Sequence, residues 1–264
     1  MKSSVLAKRN REKNQSPIRL WAVAAWLIAW QCASFVLSRA YTHGELLLAS
    51  PAAVVKRLIE LVITTEFWGV VFTSSLHIFG GFFAGCILAI LLAGLSYRVR
   101  ILRDLLAPLV AAVKAVPVVS FIILALIWLD SSALSLFISA LMVFPPIYLN
   151  ILAGLDATDV KLLEMADVFH VSRIRRMRGI YMPQLLPYFR SACSLALGLC
   201  WKSGAAAEVI GLPGGTIGER LYTAKVYFQT PDLFAWTAVI VAISIGFERV
   251  FLLWIDRIVK KVGA

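Results

Sequence analysis

Six long apolar runs, separated by shorter polar segments, make up most of the chain after residue 19. Each run is close to or above the roughly 20 residues that a helix needs to cross the hydrocarbon core of a bilayer. The runs cover residues 20–37, 67–95, 106–129, 134–155, 191–210 and 234–255. The pattern therefore predicts an all-α, polytopic membrane protein with six transmembrane helices.

Small residues and prolines distinguish three of these runs. In the second run a small residue recurs every four positions, at Gly81, Gly85, Ala89 and Ala93. Such a stripe lets membrane helices approach closely, so we expect this face to pack on a helix rather than on lipid. The third run is interrupted by Lys114 and Pro117, and the fourth carries Pro145 and Pro146 near its middle. Because proline removes a backbone donor, we expect both helices to bend around a cavity.

Two polar segments between the runs carry helix-start signals. Ser50 followed by Pro51 predicts a short amphipathic helix on the outer membrane surface. Its expected apolar face is Val54, Val55, Leu58 and Leu61. Thr230, Pro231 and Asp232 repeat the pattern of cap, proline and acid that begins a helix.

The positions of lysine and arginine predict the orientation. Eighteen of the 26 lie in the segments on one side, which include residues 1–19 and the polar segment 156–187, and five lie in the segments on the other side. By the positive-inside rule, both termini and segment 156–187 are cytoplasmic. The first run is too long for a signal-peptide core and lacks a convincing cleavage site after it, so it reads as a retained span.

Composition supports membrane insertion and narrows the chemistry. Hydrophobic residues are 60% and charged residues 16% of the 264 positions, against roughly 45–50% and about 25% in soluble domains. The net charge of +11 comes from basic residues that flank apolar runs, which does not resemble a nucleic-acid-binding stripe. The four cysteines all lie in apolar runs, so we expect small buried thiols rather than disulfides or a metal site.

The most polar internal segment, residues 156–187, has the pattern of two short helices. Thr158 and Asp159 are placed to cap the first, and Ser172 to cap the second. Apolar positions recur at helical spacing at Leu162, Leu163, Ala166 and Phe169. A polar loop with one apolar face is expected to dock on another protein.

This segment resembles the cytoplasmic coupling loop of ABC importer permeases. The family signature is Glu-Ala-Ala, a glycine after three more residues, and Ile-x-Leu-Pro after another nine. Four positions match at this spacing: Glu164, Ala166, Ile180 and Pro183. His170 replaces the glycine, which turns the chain at positive φ, so a strained turn is expected there.

The resemblance extends from about residue 46 to residue 258, where the chain looks like permeases of the nitrate, sulfonate and taurine importer family. It implies the type I ABC importer permease fold, with a basic N-terminus at residues 1–19 and a permease domain at residues 20–264. It also implies two permease copies along a two-fold axis, two cytoplasmic ATPase subunits and an external solute-binding protein. The chain has no Gly-rich phosphate loop, so we expect it to bind no cofactor and to leave ATP and Mg to the partner ATPase.

Two sets of site residues are predicted. In the coupling loop, Glu164 is expected to make a charged contact and Leu163 an apolar contact with a groove of the ATPase, in a helix that also carries Ala166. The loop's four arginines (Arg173, Arg175, Arg176 and Arg178) are expected to hold it at anionic headgroups, with a salt bridge to the ATPase as the alternative.

The second set contains the ionisable residues within the spans, which normally face protein or water. They are Lys114, Lys202, Glu208, Glu248 and Arg249. We expect Lys202 to lie on a close-packing face of the fifth span and to pair with Glu248. As a cavity lining, Lys114 and Lys202 would favour an anion such as a sulfonate, nitrate or taurine, and a vitamin precursor is the alternative.

A membrane enzyme and a stand-alone carrier remain as rival classes. The three histidines, at positions 43, 77 and 170, lie in separate segments, and no pair of carboxylates shares a helix face within a span. A secondary transporter would be expected to show inverted repeats and more spans. The sequence therefore favours a transport subunit over an enzyme.

Overall fold

The computed structural model describes residues 20–42 and 44–262, and the secondary structure of this part is entirely helical. The predicted cytoplasmic N-terminus, residues 1–19, lies outside the described residues. The helices are α1 (Leu20–Ala40), α2 (Gly44–Leu47), α3 (Pro51–Val62), α4 (Thr65–Arg98), α5 (Arg100–Ala115), α6 (Val118–Ala125), α7 (Ser131–Asp156), α8 (Val160–Val168), α9 (Arg173–Arg176), α10 (Met182–Gly211), α11 (Ile217–Val226) and α12 (Thr230–Val262). A π-helical segment, Met177–Tyr181, joins α9 to α10.

Five helical elements of the described chain are long and apolar enough to cross a membrane: α1, α4, α7, α9 continued into α10, and α12. The third predicted span differs, because it is divided into α5 and α6, which meet at 105°. The break comes at Val116, which is extended because it precedes Pro117. Counting this bent pair as one span gives the six that the sequence predicts.

Residues 96–105, which separate the second and third apolar runs, do not form a loop. Helix α4 continues to Arg98 and α5 begins at Arg100, so Val99 alone separates them. Val99 has φ −119° and ψ 99°, and its extended backbone is enough to redirect the chain. The three arginines of this region therefore stand on helix ends rather than on a loop.

Helices α4, α7 and α10 form the centre of the bundle. Helix α7 runs through Pro145 and Pro146 as one helix and buries Ile138 and Ile147 completely. Trp201 of α10 is also buried, at an edge-to-face ring distance of 5.4 Å from Phe79 of α4. Helix α7 packs against both α4 and α10, so these three helices hold the positions of the elements around them.

The predicted stripe of small residues packs on α7. All four of its residues are buried, and Ala89 and Ala93 have no exposed surface. A Cβ atom built on Gly85 would lie 2.6 Å from the carbonyl oxygen of Ala140, which shows how closely the backbones of α4 and α7 approach. This prediction is confirmed.

The cysteine prediction holds for three of four residues. Cys86, Cys193 and Cys200 are buried free thiols, whereas Cys32 is exposed on α1. Helix α1 buries little of its surface in this chain, and Trp21 and Trp26 are 68% and 77% exposed. Because the apolar side chains of α1 are not buried in the bundle, we expect them to contact lipid or another protein.

Helix α3 begins at the predicted cap. The side chain of Ser50 accepts a hydrogen bond of 3.2 Å from the backbone N–H of Ala53. Val54 is buried and Leu58 and Leu61 pack beneath the helix, but Val55 is exposed, so the predicted apolar face is one residue too wide. Arg57 forms an ion pair with Asp232 in the first turn of α12. The middle of α3 is thereby joined to the start of α12.

Candidate functional site

The polar segment after α7 begins with a well-defined cap. Asp159 is the N-cap of α8, and its Oδ1 accepts a hydrogen bond of 2.9 Å from the backbone N–H of Lys161. Thr158 does not share this role, because its hydroxyl is buried and donates to the carbonyl of Gly154 at 3.3 Å. The two residues therefore close α7 and open α8, which separates the first loop helix from the span.

Helix α8 ends in a Schellman motif that explains the unusual histidine. The N–H of Val171 donates to the carbonyl of Ala166 at 2.9 Å, and the N–H of His170 donates to the carbonyl of Asp167 at 3.0 Å. This pattern requires a left-handed residue after the cap, and His170 has φ +51°. The turn predicted from the glycine of the family signature is present, with histidine in a conformation that favours glycine.

Replacing His170 by glycine is expected to stabilise the turn by about 1 kcal/mol, because a non-glycine residue in the left-handed region costs roughly 1–2 kcal/mol. Hydrogen exchange of the α8 amides in the full-length protein would measure the change. His170→Ala is the matched control, since it removes the imidazole but keeps the Cβ atom. If alanine protected α8 as strongly as glycine, the effect would belong to the ring and not to the backbone.

The second predicted loop helix is not a separate helix. Ser172 stands at the N-cap of α9, but its hydroxyl accepts from Arg175 Nε at 3.3 Å instead of capping a backbone N–H. From Arg173 the chain is helical to Gly211, through the π-helical segment. In that segment the N–H of Met182 bonds to the carbonyl of Met177, five residues back, just before Pro183. A π turn is a local widening of an α-helix, and here it allows the helix to continue past Pro183, which has no backbone N–H.

The predicted loop therefore extends too far toward the C-terminus. Ile180 lies in the π-helical segment and Pro183 in the first turn of α10, so both belong to the base of a span. An ion pair between Arg176 and Asp167 ties α9 to α8 across the intervening turn. The polar segment therefore contains one short helix, α8, which lies between α7 and the long helix that runs from Arg173 to Gly211.

The exposed side of α8 differs from the predicted apolar face. Ala166 is 1% exposed and Leu162 and Leu163 are half-buried, so these side chains pack within the chain. Four exposed residues form what we call the α8 surface: Glu164, Met165, Val168 and Phe169; Val160, Lys161 and Asp167 of the same helix are exposed as well. Val168 and Phe169 are 74% and 73% exposed, which is unusual for large apolar groups on a polar segment. Sequence periodicity placed Phe169 on the apolar face but missed Met165 and Val168.

The ionisable residues within the spans do not converge on one site. Lys114, Lys202 and Arg249 are exposed on this chain, Glu248 is half-buried and Glu208 is fully buried. The predicted pair of Lys202 with Glu248 is wrong within the described residues, where Glu248 instead accepts a hydrogen bond of 2.9 Å from Ser194. The close-packing face of α10 does not include Lys202, which is exposed. It includes Gly204, where a Cβ atom would lie 2.5 Å from Ser139 Oγ.

Glu208 organises a buried polar cluster that the sequence did not reveal. Its Oε2 accepts hydrogen bonds from Ser74 Oγ at 2.7 Å and from the N–H of Gly218 at 3.2 Å, and its Oε1 accepts from Ser135 Oγ at 3.4 Å. Ser74 Oγ in turn accepts from the N–H of Ile217 at 2.8 Å. The carboxylate thus joins α4, α7 and α10 to the N-terminus of α11, where helix N–H groups favour a negative charge.

The sequence contains the residues of this cluster but not the fact that they meet. Ser74 and Ser135 stand as polar residues within apolar runs, and Thr216 supplies the N-cap of α11 by accepting from the N–H of Glu219 at 3.3 Å. Their meeting point depends on how three helices pack.

Residues 20–42 and 44–262 hold no group of three or more His, Cys, Asp or Glu placed to bind a metal ion.

Several helical elements long enough to cross a membrane, with one short helix held between two of them, define a polytopic membrane protein. The chain belongs to the family of binding-protein-dependent transport system inner membrane components, whose sequence profile matches residues 81–263.

Its relatives are named for transport of several solutes. It is 30% identical over 228 residues to an Escherichia coli (strain K12) protein named for aliphatic sulfonates transport, covering 81% of this chain and 83% of the relative. It is 25% identical over 243 residues to the taurine transport system permease protein of the same organism, covering 89% and 86%. It is 27% identical over 236 residues to the riboflavin transport system permease protein of Chloroflexus aurantiacus, covering 86% of each chain.

The family and the fold together establish the chain's class. It is a multi-pass membrane permease of a binding-protein-dependent importer with the type I ABC importer permease fold. Members of this family are transport subunits rather than enzymes, and they act with an ATPase and a solute-binding protein.

Proposed function

We propose that the α8 surface is the part of this permease that docks in a groove of a cytoplasmic ATPase subunit, which binds ATP and Mg. The observation that carries this proposal is the exposure of Met165, Val168 and Phe169 beside the exposed carboxylate of Glu164. Apolar groups beside charged ones match a docking contact of apolar core and polar rim. In this arrangement Glu164 makes the charged contact, and the apolar contact falls to Phe169 and Val168 more than to the half-buried Leu163.

The fold gives this surface a mechanical connection to the spans. Helix α8 is capped immediately after α7, and the Arg176–Asp167 ion pair ties it to the helix that continues into α10. Movement of a docked ATPase would therefore be transmitted to two central helices at once. The work transmitted is limited by the difference in docking affinity between the two conformations.

Phe169→Asp is expected to lower solute-stimulated ATP hydrolysis by the reconstituted complex at least tenfold, because it places a charge in the apolar contact. Hydrolysis would be measured with and without loaded binding protein, together with copurification of the ATPase. Arg100→Gln is the control, since Arg100 is exposed at the start of α5 and lies outside segment 156–187. Ala166→Glu tests loop folding and not docking, because Ala166 is buried. Full stimulation in Phe169→Asp would exclude the α8 surface as the docking site.

We further propose that two copies of the chain line one path and that both termini and α8 are cytoplasmic. Support comes from the bias of lysine and arginine toward that side and from the exposure of Lys114 and Lys202 in a single chain. A charged residue at mid-span costs at least roughly 2.5–3.5 kcal/mol in lipid. A second copy that encloses these lysines in a water-filled path would remove this cost.

The solute that this path would suit best is a small anion of the sulfonate or taurine type. The two exposed lysines favour an anion, and two relatives are named for sulfonate and taurine transport. A vitamin-like solute is the second candidate, because another relative is named for riboflavin transport.

Uptake of radiolabelled taurine, an alkanesulfonate and riboflavin into proteoliposomes with the complete complex would separate these candidates. Lys202→Met is expected to reduce uptake of the anionic sulfonates about tenfold and to leave ATP-dependent assembly intact. Lys225→Met, a loss of charge on the exposed surface of α11, is the matched control. Sulfonate uptake unchanged by Lys202→Met would remove Lys202 from the path.

A further inference from the structure

An apolar groove opens at the end of the bundle where α8 lies. It has a volume of about 570 Å³ and is formed by the last turns of α4, the end of α7 and the π-helical segment with the start of α10. Leu91 and Leu95 of α4, Leu155 of α7, and Met177 and Tyr181 of the π-helical segment line it. Leu91 is 65% and Met177 50% exposed, so no described residue covers these apolar walls.

The groove runs from a helix end into the span. Its α4 wall extends from Ile90 to Arg98, the last residue of the helix. Eight residues of α-helix correspond to about 12 Å along the axis. The groove therefore begins at the level where α4 leaves the apolar region and reaches well into the depth of the hydrocarbon core.

A cation stands at the mouth of this groove. Arg98 lines it and forms no ion pair within the described part of the chain. The nearest carboxylate in sequence on α7, Asp156, is already occupied by Arg103 through hydrogen bonds of 2.9 and 3.2 Å. The mouth of the apolar groove therefore carries an arginine that has no ion-pair partner among the described residues.

We propose that this groove is a binding site for an anionic phospholipid, with one acyl chain along Leu91 and Leu95 and the phosphate at Arg98. A basic group at the end of an apolar cleft between membrane helices matches the charge and the polarity profile of such a lipid. A second copy of the chain fits less well. Its least buried span, α1, has no acidic residue between Leu20 and Ala40 that could pair with Arg98.

The site would connect lipid to the coupling region. One wall belongs to the central helices α4 and α7, and the other to the π-helical segment through which α9 continues into α10. A bound acyl chain would hold these walls at a fixed separation. This consequence depends on the proposed docking of α8, whereas lipid binding itself does not.

Fluorescence quenching by brominated lipids tests the site directly. The full-length protein carrying Leu91→Trp would be placed in phosphatidylcholine vesicles that contain brominated phosphatidylglycerol or brominated phosphatidylcholine, and the parent signal subtracted. Quenching by phosphatidylglycerol is expected at about a fivefold lower mole fraction, because one basic residue at the surface contributes about that factor in affinity. Leu88→Trp, one turn away, exposed and outside the groove, should show no preference.

Arg98→Gln is expected to abolish the fivefold preference at Leu91→Trp, and Arg100→Gln, an exposed arginine outside the groove, to leave it unchanged. Equal quenching by both lipids at Leu91→Trp would mean ordinary contact with bulk lipid and would overturn the proposal. Quenching at Leu88→Trp without quenching at Leu91→Trp would mean that protein covers the groove, which also overturns it. If Leu91→Trp does not fold, retention of phosphatidylglycerol by native mass spectrometry, compared between Arg98→Gln and Arg100→Gln, decides the same question.

Discussion

Glu208→Ala is expected to destabilise the folded permease by about 3 kcal/mol or more, because it leaves Ser74, Ser135 and the N–H of Gly218 without their buried acceptor and each such loss costs about 1–3 kcal/mol. The variant should lose the attachment of α11 to the bundle before the bundle itself unfolds. Glu208→Gln keeps one acceptor oxygen but turns an amide toward the remaining donors, so an intermediate effect is expected.

The buried thiols provide the measurement. In a Cys32→Ser background, a thiol-reactive fluorophore should label Cys86, Cys193 and Cys200 only as the protein unfolds, so a thermal ramp reports the unfolding midpoint. Glu219→Ala is the matched control in the same outer segment. Glu219 accepts from the N–H of Gly215 at 2.6 Å in an exposed position, where water can replace the bond. An unchanged midpoint in Glu208→Ala would show that the cluster does not stabilise the bundle.

Gly81→Ala should have the second large effect, since its new methyl group would overlap the carbonyl oxygen of Leu136 and the Cβ atom of Ser139 on α7. A backbone carbonyl cannot move aside as a flexible side chain can, so α4 and α7 must separate. Overpacking of this kind costs typically 1–3 kcal/mol, and about 3 kcal/mol is expected here because backbone is involved. Lower yield of folded protein and a lower unfolding midpoint in the same thiol assay would report it.

The neighbouring glycine is the control for this prediction. A Cβ atom at Gly80 would meet only the flexible Cδ1 atom of Leu136, at 3.4 Å. Gly80→Ala should therefore be neutral or slightly stabilising, because alanine favours the helix by up to about 1 kcal/mol over glycine. Equal loss of stability in the two variants would indicate a general intolerance of α4 to substitution rather than a close helix contact.

Local patterns in the sequence determined the class of the protein and most of its helices. Apolar runs of spanning length cannot be satisfied outside a bilayer, and a bilayer permits only structures that bond their own backbone groups, so the helical spans follow directly. The caps at Ser50 and Asp159, the break before Pro117 and the left-handed turn at His170 depend on residues next to each other in the chain. The four-residue stripe on α4 likewise needs only helical periodicity.

The tertiary structure alone decided which charges meet and which faces remain exposed. Glu208 joins Ser74, Ser135 and Gly218 because three helices and the start of α11 converge, whereas Glu248 bonds to Ser194 and Lys202 stays exposed. On α8 the same helical period fits several faces, and only packing against the neighbouring spans buries Ala166 and leaves Val168 and Phe169 outside. Contacts between residues far apart in sequence depend on how each helix is rotated about its axis and shifted along it. Periodicity along one helix contains no information about either quantity.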